Sequence, residues 1–390
     1  MLSPLGLWTP QRAYAQQQAF TSHSYVFGQS ARFRLTLPPG IEPESAAFYL
    51  TIGGITDALT VAVTDGGALV TRDLAVEPLP PFASVTYWWE YTDPGGRIVE
   101  TAEQVLRYVD NRYAWQSVER QDVRVHWIAG ERALMVQAVE VARGALTGIR
   151  EALEAPAGDP VDIYIYPSET DLQSALQLGG RAWVSGMAYP ELGVVLVAIA
   201  PTDDAIMTMQ RGIPHELTHK VLYDLLGKHG YASLPTWLNE GLATHAEARP
   251  APEYGVILNQ AHYDGSLIPI ADLCYPFPHE PDLMRLAYAQ SGSLVAFIRQ
   301  THGWSGLREL LHAYADGLSC STGVKTTFGT DLPQLERAWR IWLEQAALPP
   351  ESAGSLSGAV VFLRDTGPWL ILAGALLLPV AIHVATSRRA

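Results

Sequence analysis

Two histidines four residues apart, His215 and His219, bracket a glutamate in the run His215-Glu216-Leu217-Thr218-His219. On a helix, positions four apart share a face, so the two imidazoles can serve one metal ion, and Glu216 lies within reach of a water that the ion activates. Farther along, Trp237-Leu238-Asn239-Glu240-Gly241-Leu242-Ala243 carries a carboxylate, Glu240, that can fold back as a third ligand. Two imidazoles and one carboxylate are the donor set of a catalytic Zn2+, which keeps a position open for water where a structural site closes it. Asn239, beside the third ligand, is placed to brace the ligand shell by hydrogen bonding. The bland alternative is a surface helix with two solvated histidines; the second motif, at a suitable distance, argues against it.

Such a site needs a helix for the HExxH run and a second helix for Glu240. Thr202, followed by Asp203 and Asp204, reads as the N-cap of the first helical segment. Gly212 and Pro214 interrupt the pattern, which predicts a fresh start with Pro214 as the first helical residue. His229-Gly230 ends this helix, and Thr236 caps the next. Upstream, alternation in Val123-Val125-Trp127 and Val161-Ile163-Ile165 and the apolar run 194–199 predict strands. A helix over 131–153 and another capped by Ser168 lie between them. Downstream, helices are expected over 282–301, 304–316 and 331–346. His245, five residues past Glu240, falls on a different helical face and reads as structural.

The two motifs together, HELTH and WLNEGLA, resemble those of the gluzincin zinc metallopeptidases, most closely the peptidase-MA-like group related to leukotriene-hydrolase-type aminopeptidases. The resemblance spans about residues 120–347. It implies a thermolysin-like α+β catalytic domain in which His215, His219 and Glu240 hold one Zn2+ and Glu216 is the general base. It also implies an edge strand that holds the substrate backbone by strand addition. Tyr288-Ala289-Gln290-Ser291-Gly292 resembles the segment that sets a tyrosine beside the scissile carbonyl, which makes Tyr288 the expected oxyanion donor. Gly186-Met187-Ala188-Tyr189-Pro190 resembles the family's Gly-Ala-Met-Glu-Asn motif, whose glutamate grips a free amino terminus. Here Ala188 follows Met187, and Glu191 is out of register. The departure favours an endopeptidase over an aminopeptidase.

The remaining chain supplies context. Residues 17–110 alternate apolar and polar positions in Phe33-Leu35-Leu37, Phe48-Leu50-Ile52 and Val85-Tyr87-Trp89-Tyr91, punctuated by Pro- and Gly-rich turns, which predicts an immunoglobulin-like β-sandwich. Trp88 and Trp89 could form a binding platform, with at least one expected in the core. Residues 1–16, with Ala13-Tyr14-Ala15 before Gln16, read as a signal-peptide remnant or as an ordinary tail. A catalytic domain over 111–347 is followed by a linker (348–366), an apolar membrane helix (367–386) and a basic tail (387–390), the pattern of a single-pass anchor with the enzyme outside. The chain has 390 residues, 48% of them hydrophobic, enough for two domains with separate cores. A formal charge of −14 argues against nucleic acid. The two cysteines, Cys274 and Cys320, are either one disulfide or two buried thiols. The expectation is a membrane-anchored, extracytoplasmic zinc peptidase acting on peptides or proteins. The rivals are an aminopeptidase and a non-catalytic adhesion protein that retains the zinc site.

Overall fold

The computed structural model describes residues 18–177, 185–249 and 251–346. The expected leader, linker, membrane helix and tail lie outside these residues. Among the described residues no helix is long and apolar enough to cross a membrane.

Eight strands come first: β1 (Phe20–Val26), β2 (Ser30–Thr36), β3 (Ser45–Ile52), β4 (Ile55–Ala62), β5 (Gly67–Asp73), β6 (Ser84–Thr92), β7 (Ile98–Glu100) and β8 (Gln104–Arg107). They form two antiparallel sheets, one ordered β1-β2-β5 and one β4-β3-β6-β7, with β8 also paired to β6. The period of two seen in the sequence is what packs them. Phe33 and Leu35 point inward from one sheet, and Phe48, Leu50, Tyr87 and Trp89 from the other, into one buried cluster. Trp89 is in that core, whereas Trp88 lies on the opposite face of β6, stacked on Tyr49 at 5.0 Å.

A second sheet system begins with β9 (Gln116–Arg120) and β10 (Val123–Trp127), then α1 (Arg132–Leu153), β11 (Val161–Tyr166), α2 (Glu169–Gln177), β12 (Gly186–Tyr189) and β13 (Val194–Ala198). The order is β12-β13-β11-β10-β9, with β10, β11 and β13 parallel and the two outer strands antiparallel to their neighbours. β13 is buried along its whole length, the mark of a strand covered on both faces. Ser168 caps α2 as expected, its hydroxyl accepting the Asp171 N–H at 3.1 Å. β12 is an edge strand of this sheet, and it contains the Gly186-Met187-Ala188-Tyr189 segment.

Helices then dominate: α3 (Ala205–Ala232), α4 (Thr236–Ala246), α5 (Pro252–Tyr263), α6 (Ile270–Leu273), α7 (Pro281–Ala315), α8 (Cys320–Phe328) and α9 (Leu332–Ala346). Their boundaries correct four expectations. α3 starts at Ala205 after Asp204, whose side chain makes no capping bond, so Thr202 is not the N-cap. Pro214 sits inside α3 and does not restart it. A proline deprives the carbonyl four residues back of its helical donor, and here the Ala248 N–H replaces it, bonding the Gln210 carbonyl at 3.0 Å. The helical path breaks instead at Gly227, whose φ of 69° is left-handed, ahead of the expected end at His229-Gly230. Thr236 is the first residue of α4 and not its cap, its N–H going to the Cys274 carbonyl at 3.3 Å. Cys274 and Cys320 form a disulfide.

One face of the second sheet shares the core of the first two sheets, while Ile163, Ile165, Val195 and Val197 on its other face are buried outside that cluster. Tyr164, Tyr166, Leu172 and Leu196 belong to the same buried cluster as Phe33 and Trp89. At the seam Phe82 packs on Tyr164 at 4.1 Å, and Trp115 meets both Tyr164 and Tyr166 edge-on at 5.1 Å. The buried carboxylate of Asp110 is held there by Arg112 at 2.7 Å and by the Tyr166 hydroxyl at 3.1 Å, which meets the need of a buried charge for partners. One compact unit runs to Leu335, and the second, Glu336–Ala390, contributes the rest of α9.

Candidate metal centre and active site

α3 carries His215 and His219 on one face, and α4 returns Glu240 toward them. One ligand atom from each lies within 4.8 Å of the others. The Glu240 Oε2 is 3.4 Å from the His215 Nε2 and 3.7 Å from the His219 Nε2. The other ring nitrogens are occupied: the His215 Nδ1 donates to Glu247 Oε1 at 3.1 Å and the His219 Nδ1 to Asn239 Oδ1 at 3.0 Å. Each imidazole therefore turns its Nε2 toward the common point, the arrangement that fixes tautomer and ring orientation in metal sites. Asn239 is thereby bonded to the His219 ring. Its Nδ2 donates in turn to the Tyr231 hydroxyl at 3.4 Å.

Electrostatics fit a cation at this point. Burial would lower the His215 pKa, but hydrogen bonds to Glu240 and Glu247 and the charge of Glu216 raise it to about 10. Burial pushes Glu240 the other way, yet His219 and His215 outweigh it and hold its carboxyl below the usual range. Two carboxylates thus compete to keep positive charge between the imidazoles. Imidazole and carboxylate donors, His219 buried and His215 and Glu240 half-buried, converging without any thiolate suit Zn2+ or a similar borderline ion.

Glu216 is buried, and burial raises its pKa, while the Ala188 N–H and the two histidines favour its charged form. The Ala188 bond joins the carboxylate to the edge strand. In β12 the Gly186 and Ala188 backbones alternate with residues bonded to β13, so their free groups face outward; the Ser185 carbonyl, in that alternation, accepts the Ala198 N–H at 2.9 Å. Gly186 is hemmed in by the same carboxylate: a Cβ there would lie 2.4 Å from Glu216 Oε1.

Tyr288, on α7, has its ring 6.0 Å from that of His215 and edge-on to Phe277 at 5.3 Å. Burial first, and then the charges of Glu240 and Glu216, push its hydroxyl well above its ordinary pKa, so it stays a proton donor. His245 lies away from the cluster, edge-on to Trp304 at 5.9 Å, with burial lowering its pKa to about 4. The structural reading of His245 fits these surroundings.

Residues 141–345 match the family described as Peptidase MA superfamily. The chain belongs to the Peptidase MA superfamily. Membership makes it a metallopeptidase-like protein of the hydrolase class, with the His-His-Glu cluster inside the matched region. Among solved structures it is similar to an aminopeptidase N family protein from Idiomarina loihiensis, at 8% identity over 80% of this chain and 74% of that one, TM-score 0.38. A polysaccharide deacetylase from Bacillus cereus matches at 6% identity over 47% of this chain and 69% of that one, TM-score 0.23. No curated protein matches the chain.

Sequence reasoning missed Glu247, Tyr231 and the part played by Gly186. Glu247 had a signal: seven residues past Glu240 is two helical turns, hence nearly the same face. Tyr231 had none.

Proposed function

We propose that the protein is a zinc metallopeptidase of the gluzincin type that cleaves within polypeptide chains. The observation that carries this reading is the convergence of His215 Nε2, His219 Nε2 and Glu240 Oε2 beside the buried carboxylate of Glu216. His215, His219 and Glu240 would hold the ion, and Glu247 and Asn239 keep the two imidazoles turned toward it. A bound zinc ion supplies a Lewis acid that polarises the scissile carbonyl and acidifies the attacking water. Glu216 takes the proton from that water and returns it to the departing amine; its raised pKa brings it nearer to neutral pH, where such a group works best. The edge of β12 that faces away from β13, at Gly186 and Ala188, receives the substrate backbone as an added strand. Tyr288, protonated, donates to the carbonyl oxygen as negative charge builds there.

Endopeptidase action is favoured because Ala188, with no carboxylate, follows Met187 in the edge strand. The membrane-anchored, extracytoplasmic setting belongs to the same proposal. It rests on the apolar run at 367–386 and gains support from the disulfide, which suits an oxidising compartment. Treatment with a zinc chelator, read against a quenched-fluorescence peptide library, tests the reading. Hydrolysis should vanish and return with added Zn2+; hydrolysis indifferent to chelation contradicts it.

A further inference from the structure

Beyond the end of the edge strand lies a cavity of about 420 Å³ that the reaction scheme leaves unused. Ala188, whose N–H meets Glu216, forms part of its lining, and so does Tyr231, whose hydroxyl accepts from Asn239. Its volume falls in the range of about 300–1,000 Å³ typical of small-ligand sites.

One wall comes from the β-sandwich: the loop of Pro78 and Pro80 faces Ala188, Glu191 and Tyr231 across the cavity. That wall is fixed in place. Prolines have a restricted φ, and the loop is bound back by the Ala83 N–H to the Pro80 carbonyl at 3.1 Å and the Phe82 N–H to the Tyr108 carbonyl at 2.9 Å. Phe82 in turn is packed on Tyr164 of the peptidase sheet at 4.1 Å. The sandwich therefore forms one wall of this cavity.

Glu191 is the one charged residue among those lining the cavity, and it has no ion-pair partner among the described residues. Its charge reaches Tyr231 together with those of Glu216 and Glu240, and with burial as the larger cause they raise the Tyr231 pKa to about 12. Negative potential between low-dielectric walls concentrates cations.

We propose that this cavity is a specificity subsite, walled on one side by the sandwich, that takes a cationic group of the substrate against Glu191. The proposal rests on the peptidase reading. Two sources share the chemistry: a lysine or arginine side chain, and the ammonium of a free amino terminus.

The test uses the full chain, zinc-loaded and carrying Glu216→Gln, so that peptide binding is read without turnover. Alanine-rich octapeptides with a C-terminal fluorophore carry a single lysine, norleucine or glutamate walked through each position, with the amino terminus free or acetylated. The best lysine peptide should bind about tenfold more tightly than its norleucine counterpart, as a charge-assisted contact provides. Adding Glu191→Gln should bring the two within about twofold. A preference that survives acetylation identifies the side chain as the cation. One seen as a gain of free over acetylated peptides, and lost with Glu191→Gln, identifies the ammonium. Pro80→Trp should weaken the lysine peptides by narrowing the cavity. Equal binding of lysine and norleucine peptides together with equal binding of free and acetylated ones, or a cation preference that survives Glu191→Gln, overturns the proposal. Hydrolysis by wild type is measured in parallel. Peptides bound with the lysine preference but never cut contradict the peptidase reading alone, whereas cutting without charge preference contradicts the subsite alone.

Discussion

His215 is oriented by a carboxylate that lies two turns beyond the third ligand. Glu247 is buried and bonded to the His215 Nδ1 at 3.1 Å, so losing its charge loosens the imidazole without touching a ligand atom. Glu247→Gln should lower zinc affinity about 10- to 100-fold, measured by competition with a chromophoric chelator; unchanged affinity would remove Glu247 from the site. Gly186 is constrained by proximity. A methyl group there would meet Glu216 Oε1 at 2.4 Å and Cγ at 3.0 Å, so Gly186→Ala must displace the carboxylate. Activity should fall about 10- to 100-fold, since a small misplacement of a catalytic group costs that much, while bound zinc stays stoichiometric. The difference between the legible and hidden residues is physical. His215, Glu216 and His219 satisfy a helical spacing within one segment, and Glu240 follows in the next. Glu247 and Gly186 matter through contacts between distant segments, which no spacing along the chain encodes.

At the scale of elements, the site depends on how α4 is clamped between its neighbours. Its far end is tied to α3 by the Ala248 N–H on the Gln210 carbonyl, a bond that exists because Pro214 leaves that carbonyl unpaired. A proline read as a helix start thus frees the carbonyl that ties the residue after Glu247 to α3. Against α7 the approach is closer still: a Cβ on Gly241 would lie 2.6 Å from the Ser291 carbonyl oxygen and 2.8 Å from Val295 Cγ2. Gly241→Ala should therefore destabilise the fold by about 1–3 kcal/mol, the usual cost of overpacking a tight contact. Urea denaturation would show it as a lower midpoint with an unchanged slope; wild-type stability would mean that the two helices part freely. The strands and helices were mostly legible because each carries its own period: β10, β11 and β13 appear where alternation or continuous apolarity placed them. The helix starts were less so. Thr202 and Thr236 have the chemistry of caps, but the cap positions fall at Asp204, beyond the first, and at Pro235, just before the second.

In the molecule as a whole, one face of the second sheet shares the core of the sandwich, and the disulfide secures the helical half. Cys274 and Cys320 are 46 residues apart, and both touch the start of α4: the Thr236 N–H bonds the Cys274 carbonyl at 3.3 Å and the Trp237 Nε1 donates to Cys320 Sγ at 3.4 Å. Replacing both cysteines by serine should cost about 3–4 kcal/mol of unfolding free energy by chain-entropy reasoning. It should also weaken zinc binding by freeing the helix that presents Glu240. Equal denaturation midpoints for the two forms would contradict this. The pairing was open in the sequence, where spacing says nothing about which segments meet. Separate cores were an expectation that meets an exception at the seam, where Phe82, Trp115 and Tyr164 join one face of the second sheet to the sandwich. Glu216 is where all scales meet, held by the edge strand, flanked by both histidines and buried beside the third ligand. The most direct measurement is therefore zinc content and peptide hydrolysis for wild type and Glu216→Gln side by side. Both proteins should carry one zinc ion per chain, and the variant should lose about 100- to 10,000-fold in kcat; a variant as active as wild type, or a wild type that binds no zinc, would contradict the assignment.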